Sequence, residues 1–312
     1  MNDYTRDDVQ IRPTQASDRE ALTKIASQIW EGNDYLPHVI DEWLADESGS
    51  FDVLTLHNEV VGVSKLTEIS DGEWWLEGLR IAPQYQGKGF ARILHHYKIN
   101  QVRQLGSGVV RFTTASHNNA TRRLAAETGF HLVGEFDYYF TAAQEIPTSK
   151  RFWKLSEADF DVVHYWLNGS DYFKNVDHSF EESWTYRYAT DNVVREYLRD
   201  GRVYAWNSQN DQTVIEGLLF IYCIRERDNL LQVAFADVSP DQRYEFWNAS
   251  RGLAHQLGAD QISVKLLIGE ANEMPFVSQN WETEDFRLLL YSRPIDLTIE
   301  STIETETVPA LE

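Results

Sequence analysis

Along the first half of the chain the spacing of apolar positions switches between two residues and three or four, as strands alternate with helices. "VQIRP" reads as a short strand. "SDRE" follows, with Ser17 and Glu20 spaced as a capping box, and predicts a helix running to Gly32. A second helix is predicted from Pro37 through "HVIDEWLAD", proline being suited to a first turn. "FDVLTLH" and "VVGVSKLTEI" alternate as a hairpin around Asn58 and Glu59. "SDGE" turns the chain into the strand "WWLEGLRIA", which meets Pro83. A long helix then carries Phe90, Leu94, Tyr97 and Leu105 on one stripe and ends at "GSG". "VVRFTTA" is a strand, "NNATRRLAAET" a helix stopped by Gly129, and "FHLVGEFDYYF" a last strand.

The second half repeats the order. "WKLSEADFD" matches "IRPTQASDRE", with Ser156 and Asp159 again spaced as a cap. "VVREYLRDGRVYAW" parallels "VIDEWLADESGSFDVL", and "LLQVAFADVSPDQ" parallels "WWLEGLRIAPQYQ" with Pro240 in the place of Pro83. "ASRGLAHQLGADQISVKLLI" parallels the long helix and the strand after it. The pattern predicts an α/β (α+β) chain in which a mixed sheet flanked by helices occurs twice in tandem, over residues 1–145 and 150–297. The junction is the polar "TAAQEIPTSK", and the acidic tail 298–312 has no burial pattern, so it is expected to be disordered.

At 312 residues, 42% hydrophobic and 25% charged, with 10 Trp, 15 Tyr and 15 Phe, the chain can fill sizeable cores. No run approaches the roughly 18 apolar residues of a membrane span. The start "MNDYTRDDVQIRP" lacks the apolar segment of a signal peptide. The one cysteine, Cys223 in "GLLFIYCI", reads as core filling and excludes a disulfide framework. These features place the protein in the cytoplasm. The net charge of −21 argues against nucleic acid, whose phosphates need a basic footprint. It leaves two readings open, steering of cationic substrates and a plain acidic, soluble surface. No Cys/His/Asp spacing suggests a metal.

The chemistry concentrates in "LEGLRIAPQYQGKGFARILHHY". The first amides of a helix have no internal partner and, with the helix dipole, favour an anion. Glycine lets a backbone come close to such a ligand. "QGKGFA" at a strand-to-helix turn is therefore built for a phosphate or pyrophosphate, with Lys88 and Arg92 adding positive charge. The GxxxxGK[ST] loop is absent, and GxGxxG does not fit. Gln86-x-x-Gly89-x-Ala91 instead resembles the Q/R-x-x-G-x-G/A loop of the GNAT superfamily of acyl-CoA N-acyltransferases. "LRIAP" resembles that family's fourth strand, and "NNATRRLAAETGF" its N-x-x-A-x-x-L-Y-x-x-x-G-F segment. The order of elements from residue 9 to 140 agrees as well.

The resemblance implies acetyl-CoA as donor and co-substrate, without a metal. Carried over by position, the strand edge at Leu79, Arg80 and Ile81 meets the pantetheine arm. Gln86, Gly87, Lys88, Gly89, Phe90, Ala91 and Arg92 cradle the pyrophosphate. Asn118 meets the cofactor from the next helix, its plainer role being a cap. In the second half Tyr244, Glu245 and Phe246 stand in place of Gly87, Lys88 and Gly89. Bulk and a carboxylate there predict a degenerate copy that has lost the cofactor and serves as a structural partner.

An amine must be neutral to attack a thioester, so a base is useful. Glu77, the one carboxylate in "WLEGLRIA", is the catalytic candidate. Alternation puts residues 77, 79 and 81 on one face unless a bulge re-aims the strand. The alternative for Glu77 is an ion pair with Arg80, Lys65 or Arg111. The family's L-Y pair reads Leu124-Ala125 here, so the tyrosine acid is missing. Tyr138, Tyr139 or water remain to protonate the thiolate. "GNDYLPHVIDEWL", together with "EGLRIAP", resembles the histidine N-acetyltransferase group, which implies an amino-acid acceptor with Asp34, Tyr35 and His38 in its pocket. Arg80 is then free to grip the amino acid's carboxylate. Three functions follow from the resemblance: N-acetylation of a small amine, such as the α-amine of histidine; N-acetylation of a peptide or protein; or non-catalytic sensing of acyl-CoA. A monomer or a homodimer is expected.

Overall fold

A computed structural model describes residues 8–146, 150–211, 213–226, 228–269, 276 and 278–295; the tail 298–312 lies outside these. The chain forms two compact units. One comprises Met1–Phe112, Arg123–His131 and Ser292–Glu312, the other Thr113–Arg122 and Leu132–Tyr291. Contact density thus draws the border differently from sequence order, which placed the whole strand after Gly129 in the first half.

In the first unit, β1 (Val9–Pro13) leads into a 3₁₀ turn, Ala16–Asp18. The cap is set earlier than the sequence pattern suggests. Gln15 and Asp18 form the capping box, Asp18 is held by Arg12, and Ser17 sits inside the turn. Helix α1 (Arg19–Ala26) ends well before Gly32, because Trp30, Glu31 and Gly32 take left-handed φ values of 48°, 56° and 85°. Helix α2 (Leu36–Ala45) carries Pro37 in its first turn. Strands β2 (Ser50–Leu56) and β3 (Glu59–Ser70) turn at His57 and Asn58, both left-handed, one residue earlier than the sequence suggested. Then come β4 (Glu73–Ile81), α3 (Phe90–Leu105), β5 (Gly108–Ala115), whose residues from Thr113 on belong to the other unit, and α4 (Asn119–Glu127), which returns to the first unit at Arg123. The strands lie in the order β1-β2-β3-β4-β5, antiparallel except for β4 with β5.

Two apolar layers cover this sheet. Leu22, Leu36, Ile40 and Trp43 from α1 and α2 pack with Phe51, Val53 and Val63. Phe90 and Leu94 from α3 pack with Leu54, Leu56, Val61 and Ile81. Burying side chains of this size stabilises by about 1.5–3 kcal/mol each.

The second unit contains β6 (His131–Ala142), β7 (Phe152–Lys154), α5 (Phe160–Gly169), α6 (Asp171–Asn175), β8 (Ser179–Glu182), β9 (Thr185–Tyr188) and α7 (Asp191–Arg199). It continues with β10 (Val203–Asn207), β11 (Ile215–Arg225), β12 (Leu230–Val238), α8 (Arg243–Gln256), β13 (Gln261–Leu267), β14 (Glu282–Thr283) and β15 (Leu288–Ile295), whose last residues belong to the first unit. Its main sheet runs β7-β10-β11-β12-β13-β6, with β14 beside β6 and β8 paired to β9 alone. Strand β6 joins this unit because it pairs with β13 from Phe136↔Leu267 to Ala142↔Gln261. The capping box of Ser156 and Asp159 forms as its sequence suggests. Cys223 is a half-buried free thiol. Among the described residues no helix is long and apolar enough to cross a membrane.

Candidate functional site

The site begins where two strands part. β4 pairs in parallel with β5 only at Glu73, Trp74 and Trp75, opposite Val109, Val110 and Arg111. A buried ion pair of Arg111 with Glu73, which also accepts from Ser70 at 2.8 Å, fixes that point. From Leu76 onward the parallel ladder is over, and the β4 edge toward β5 is open to an added strand.

The glycine loop continues that edge. Pro83–Tyr85 forms a 3₁₀ turn, and Gln86 Nε2 ties the loop back to the Ile81 carbonyl at 3.1 Å. Gly87 and Gly89 have φ of 74° and 86°, and Gly89 caps α3. A Cβ at Gly87 would meet nothing within 4 Å. Glycine is needed there for its left-handed backbone and for room outside the protein. Gly87, Lys88 and Gly89 are exposed, while Phe90 is buried in the core and anchors the first turn. Lys88 Nζ lies 5.2 Å from the centre of the Tyr85 ring, whose hydroxyl donates to Glu59. Arg92 is ion-paired with Glu127. The donor set fits a diphosphate: first-turn amides, one exposed lysine and no carboxylate in the loop.

One residue along β4 decides which way Glu77 points. Arg80 pairs with Val63 and Glu77 with Lys65, so Gly78 and Leu79 together oppose Ser64, a β-bulge. Gly78 has φ 66°, and a Cβ there would come within 2.6 Å of the Trp43 ring. The bulge breaks the expected alternation. Leu79 and Ile81 pack with Phe90 and Leu94, whereas Glu77 lies in the field of Glu42 on α2 and of Asp46 just past its end. The three cations considered as partners of Glu77 are engaged elsewhere: Lys65 with Asp46, Arg80 with Asp34, Arg111 with Glu73. Glu77 accepts a hydrogen bond from the Thr67 hydroxyl at 2.5 Å. Burial raises its pKa above the ordinary carboxylate value; the Thr67 bond and the charge of Lys65 oppose this, and Glu42 and Asp46 add to it.

On the α2 side, Asp34 and Arg80 form a two-pronged pair, with Nε to Oδ2 at 2.7 Å and Nη2 to Oδ1 at 3.2 Å. The Asp34 side chain has no exposed surface and also accepts from the Leu36 amide. Asp34 therefore organises the loop rather than facing solvent, and the side of the Arg80 fork expected to grip a carboxylate already holds one. Arg80 is flanked by the rings of Trp30 at 4.4 Å and Tyr35 at 5.3 Å. Tyr35 keeps 40% of its surface exposed, yet desolvation around its hydroxyl raises its pKa. His38 is exposed on α2.

Asn118 falls in the other compact unit, where its carboxamide accepts from the Thr121 amide at 3.2 Å, as a helix cap does. Ala125 is fully buried, so no proton donor stands at that position. Tyr138 and Tyr139 also belong to the other unit; Lys265 lies over the ring of the first, and the second stacks on Phe276. His95 is a core residue, bonded to Thr128 at 3.0 Å, and burial pushes its pKa down to about 3. Sequence reasoning missed Trp30 and Thr67. Trp30 followed by a glutamate and a glycine hinted at a tight turn, whereas nothing in the alternating β3 singled out Thr67. Among the described residues no three His, Cys, Asp or Glu are grouped to hold a metal ion.

The corresponding region of the second unit is closed. β12 pairs with β13 only over Leu230–Gln232, opposite Gln261–Ser263. Beyond that, the Leu267 amide donates to the Tyr172 hydroxyl at 3.4 Å, and the rings of Tyr172 and Phe173 lie 5.6 Å and 5.5 Å from that of Phe235. Helix α8 starts directly after the 3₁₀ turn Pro240–Gln242, without a glycine loop. Phe246 is fully buried among Phe152, Trp206 and Trp247, and Arg151 binds Gln242 and Glu245.

Residues 19–130 match the model of the acetyltransferase (GNAT) family. Over 78 residues the chain is 37% identical to a histidine N-acetyltransferase of Oreochromis niloticus and 33% identical to one of Scomber australasicus. Each match covers 25% of this chain and 23% of the relative, so it spans less than a quarter of those proteins' length. A GCN5-related N-acetyltransferase from Sphaerobacter thermophilus superposes with a TM-score of 0.60 at 10% identity, covering 95% of this chain and 99% of that one. At such identity the likeness is one of fold.

Proposed function

We propose that residues 19–130, which match the acetyltransferase (GNAT) family model, work as an acetyltransferase domain and that the protein transfers the acetyl group of acetyl-CoA to the amine of a small molecule. The observation that carries this reading is the pair of left-handed glycines at the mouth of α3, beside the open edge of β4 that also bears Glu77. The pantetheine arm lies along Leu79, Arg80 and Ile81, and the amides from Gly87 to Arg92 hold the pyrophosphate. Gln86 keeps the loop folded back, and Lys88 adds charge.

The amine nitrogen attacks the thioester carbonyl; a C–N bond forms and the C–S bond breaks. Glu77, directly or through water, takes the proton the nitrogen loses. Its raised pKa suits a base working near neutrality. The thiolate leaves and takes a proton from water, since Ala125 supplies none; a thiol pKa near 8.5 makes this tolerable. Holding amine and thioester together provides a large share of the rate. The second unit is a degenerate copy without donor binding, as its buried Phe246 supports. The names of the relatives bring histidine forward as one acceptor.

The test is release of free thiol from acetyl-CoA across a panel of amino acids, polyamines and short peptides. Turnover of small amines supports the proposal. Turnover confined to peptides moves the acceptor to proteins. Tight CoA binding by calorimetry without any release selects an acyl-CoA sensor.

A further inference from the structure

We infer, on the acetyltransferase reading above, that the acceptor is an amine bearing a second positive charge and no carboxylate. The two cations beside Glu77 on the α2 side each hold a carboxylate of this chain. Arg80 grips Asp34 through Nε and Nη2, and its Nη1 donates to the Leu79 carbonyl at 3.1 Å. Lys65 is fully buried and donates to Asp46 and to the Leu66 carbonyl. An acceptor carboxylate finds neither cation open.

The negative charges are differently placed. Glu77 is bonded to the neutral hydroxyl of Thr67, and Glu42, exposed on α2, acts on it electrostatically. Lys65, opposite Glu77 in the β3–β4 register, attracts it without bonding to it, so two carboxylates that make no ion pair among the described residues share this side. Trp30, 57% exposed, and Tyr35 flank the neutralised Arg80 and offer ring surface. Ring faces and carboxylates together recognise a cation, and they repel an amino acid's α-carboxylate.

Decarboxylated pairs isolate the group in question. Thiol release is measured with cadaverine against lysine and with histamine against histidine, each rate corrected for the neutral fraction of the amine, and with cadaverine against pentylamine. The decarboxylated member is expected to win in kcat/KM by roughly tenfold, less at high salt, and cadaverine to exceed pentylamine. Glu42→Gln, at an exposed position, should shrink the cadaverine preference while CoA binding stays unchanged. Equal or better turnover of lysine and histidine overturns the inference and leaves the acetyltransferase reading standing. No release with any amine overturns both.

Discussion

β4 and β12 are each nine residues long, each is followed closely by a proline-led 3₁₀ turn and a helix, and each pairs with its parallel neighbour over three residues before parting from it. Counted back from Pro83 and Pro240, Glu77 and Gly78 face Ala234 and Phe235 in this comparison. Where the first unit has glycine the second has an aromatic ring, and where the first is open the second is packed. The Tyr172 hydroxyl accepts from the Leu267 amide at the end of β13, and Phe246 is buried in the first turn of α8. A binding site in this frame is made largely by side chains that are absent. The filled places in the second unit gain apolar burial and leave no room of the kind proposed to hold a ligand in the first.

Transferring features between the two regions puts the comparison to work. Gly89→Glu brings charge and bulk to the first-unit helix mouth; CoA affinity by calorimetry should fall at least about a thousandfold, with the circular dichroism of the fold retained. Unchanged affinity would mean the nucleotide lies elsewhere. Phe246→Ala empties the second-unit counterpart and should destabilise by about 3–5 kcal/mol in denaturant unfolding, without creating a second CoA site. A second site in calorimetry would make the buried ring a gate rather than a remnant. Glu77→Gln, which removes the base but keeps the shape, should lower kcat about 10²–10⁴-fold with little change in CoA affinity. In the wild type the acid limb of kcat/KM should fall above the ordinary carboxylate range, because protonation of Glu77 switches it off and its pKa is raised; the limb should vanish in the variant. Gly78→Ala combines a positive φ with a close approach to Trp43 and should cost about 1–3 kcal/mol, read as a lowered unfolding midpoint.

The glycine loop was legible from sequence because its chemistry is local: two residues that tolerate positive φ stand at the start of a helix. The strands and helices of the first unit were legible from the spacing of apolar positions, although β2 is buried on both faces between two apolar layers and α1 stops at Ala26. Pairings between distant residues were not legible. Arg80 reads as an available cation in "EGLRIAP", and only the fold brings Asp34 beneath it, from a loop that turns through Trp30 and Glu31. The face of Glu77 depended on whether Gly78 was an ordinary strand residue or an inserted one, and the strand's composition fits both. Helix α6 and the β8–β9 pair were invisible because they have no counterpart in the first half against which to be read.

Gly78 sets the phase of everything that follows it in β4. Remove that one residue, and Leu79 and Ile81 exchange sides with Arg80, sending a guanidinium into the α3 layer and two aliphatic chains toward α2. The division along this strand, polar chemistry upstream and the edge proposed for the coenzyme downstream, hangs on a single Cα that carries no side chain, where every alternative residue brings a branch.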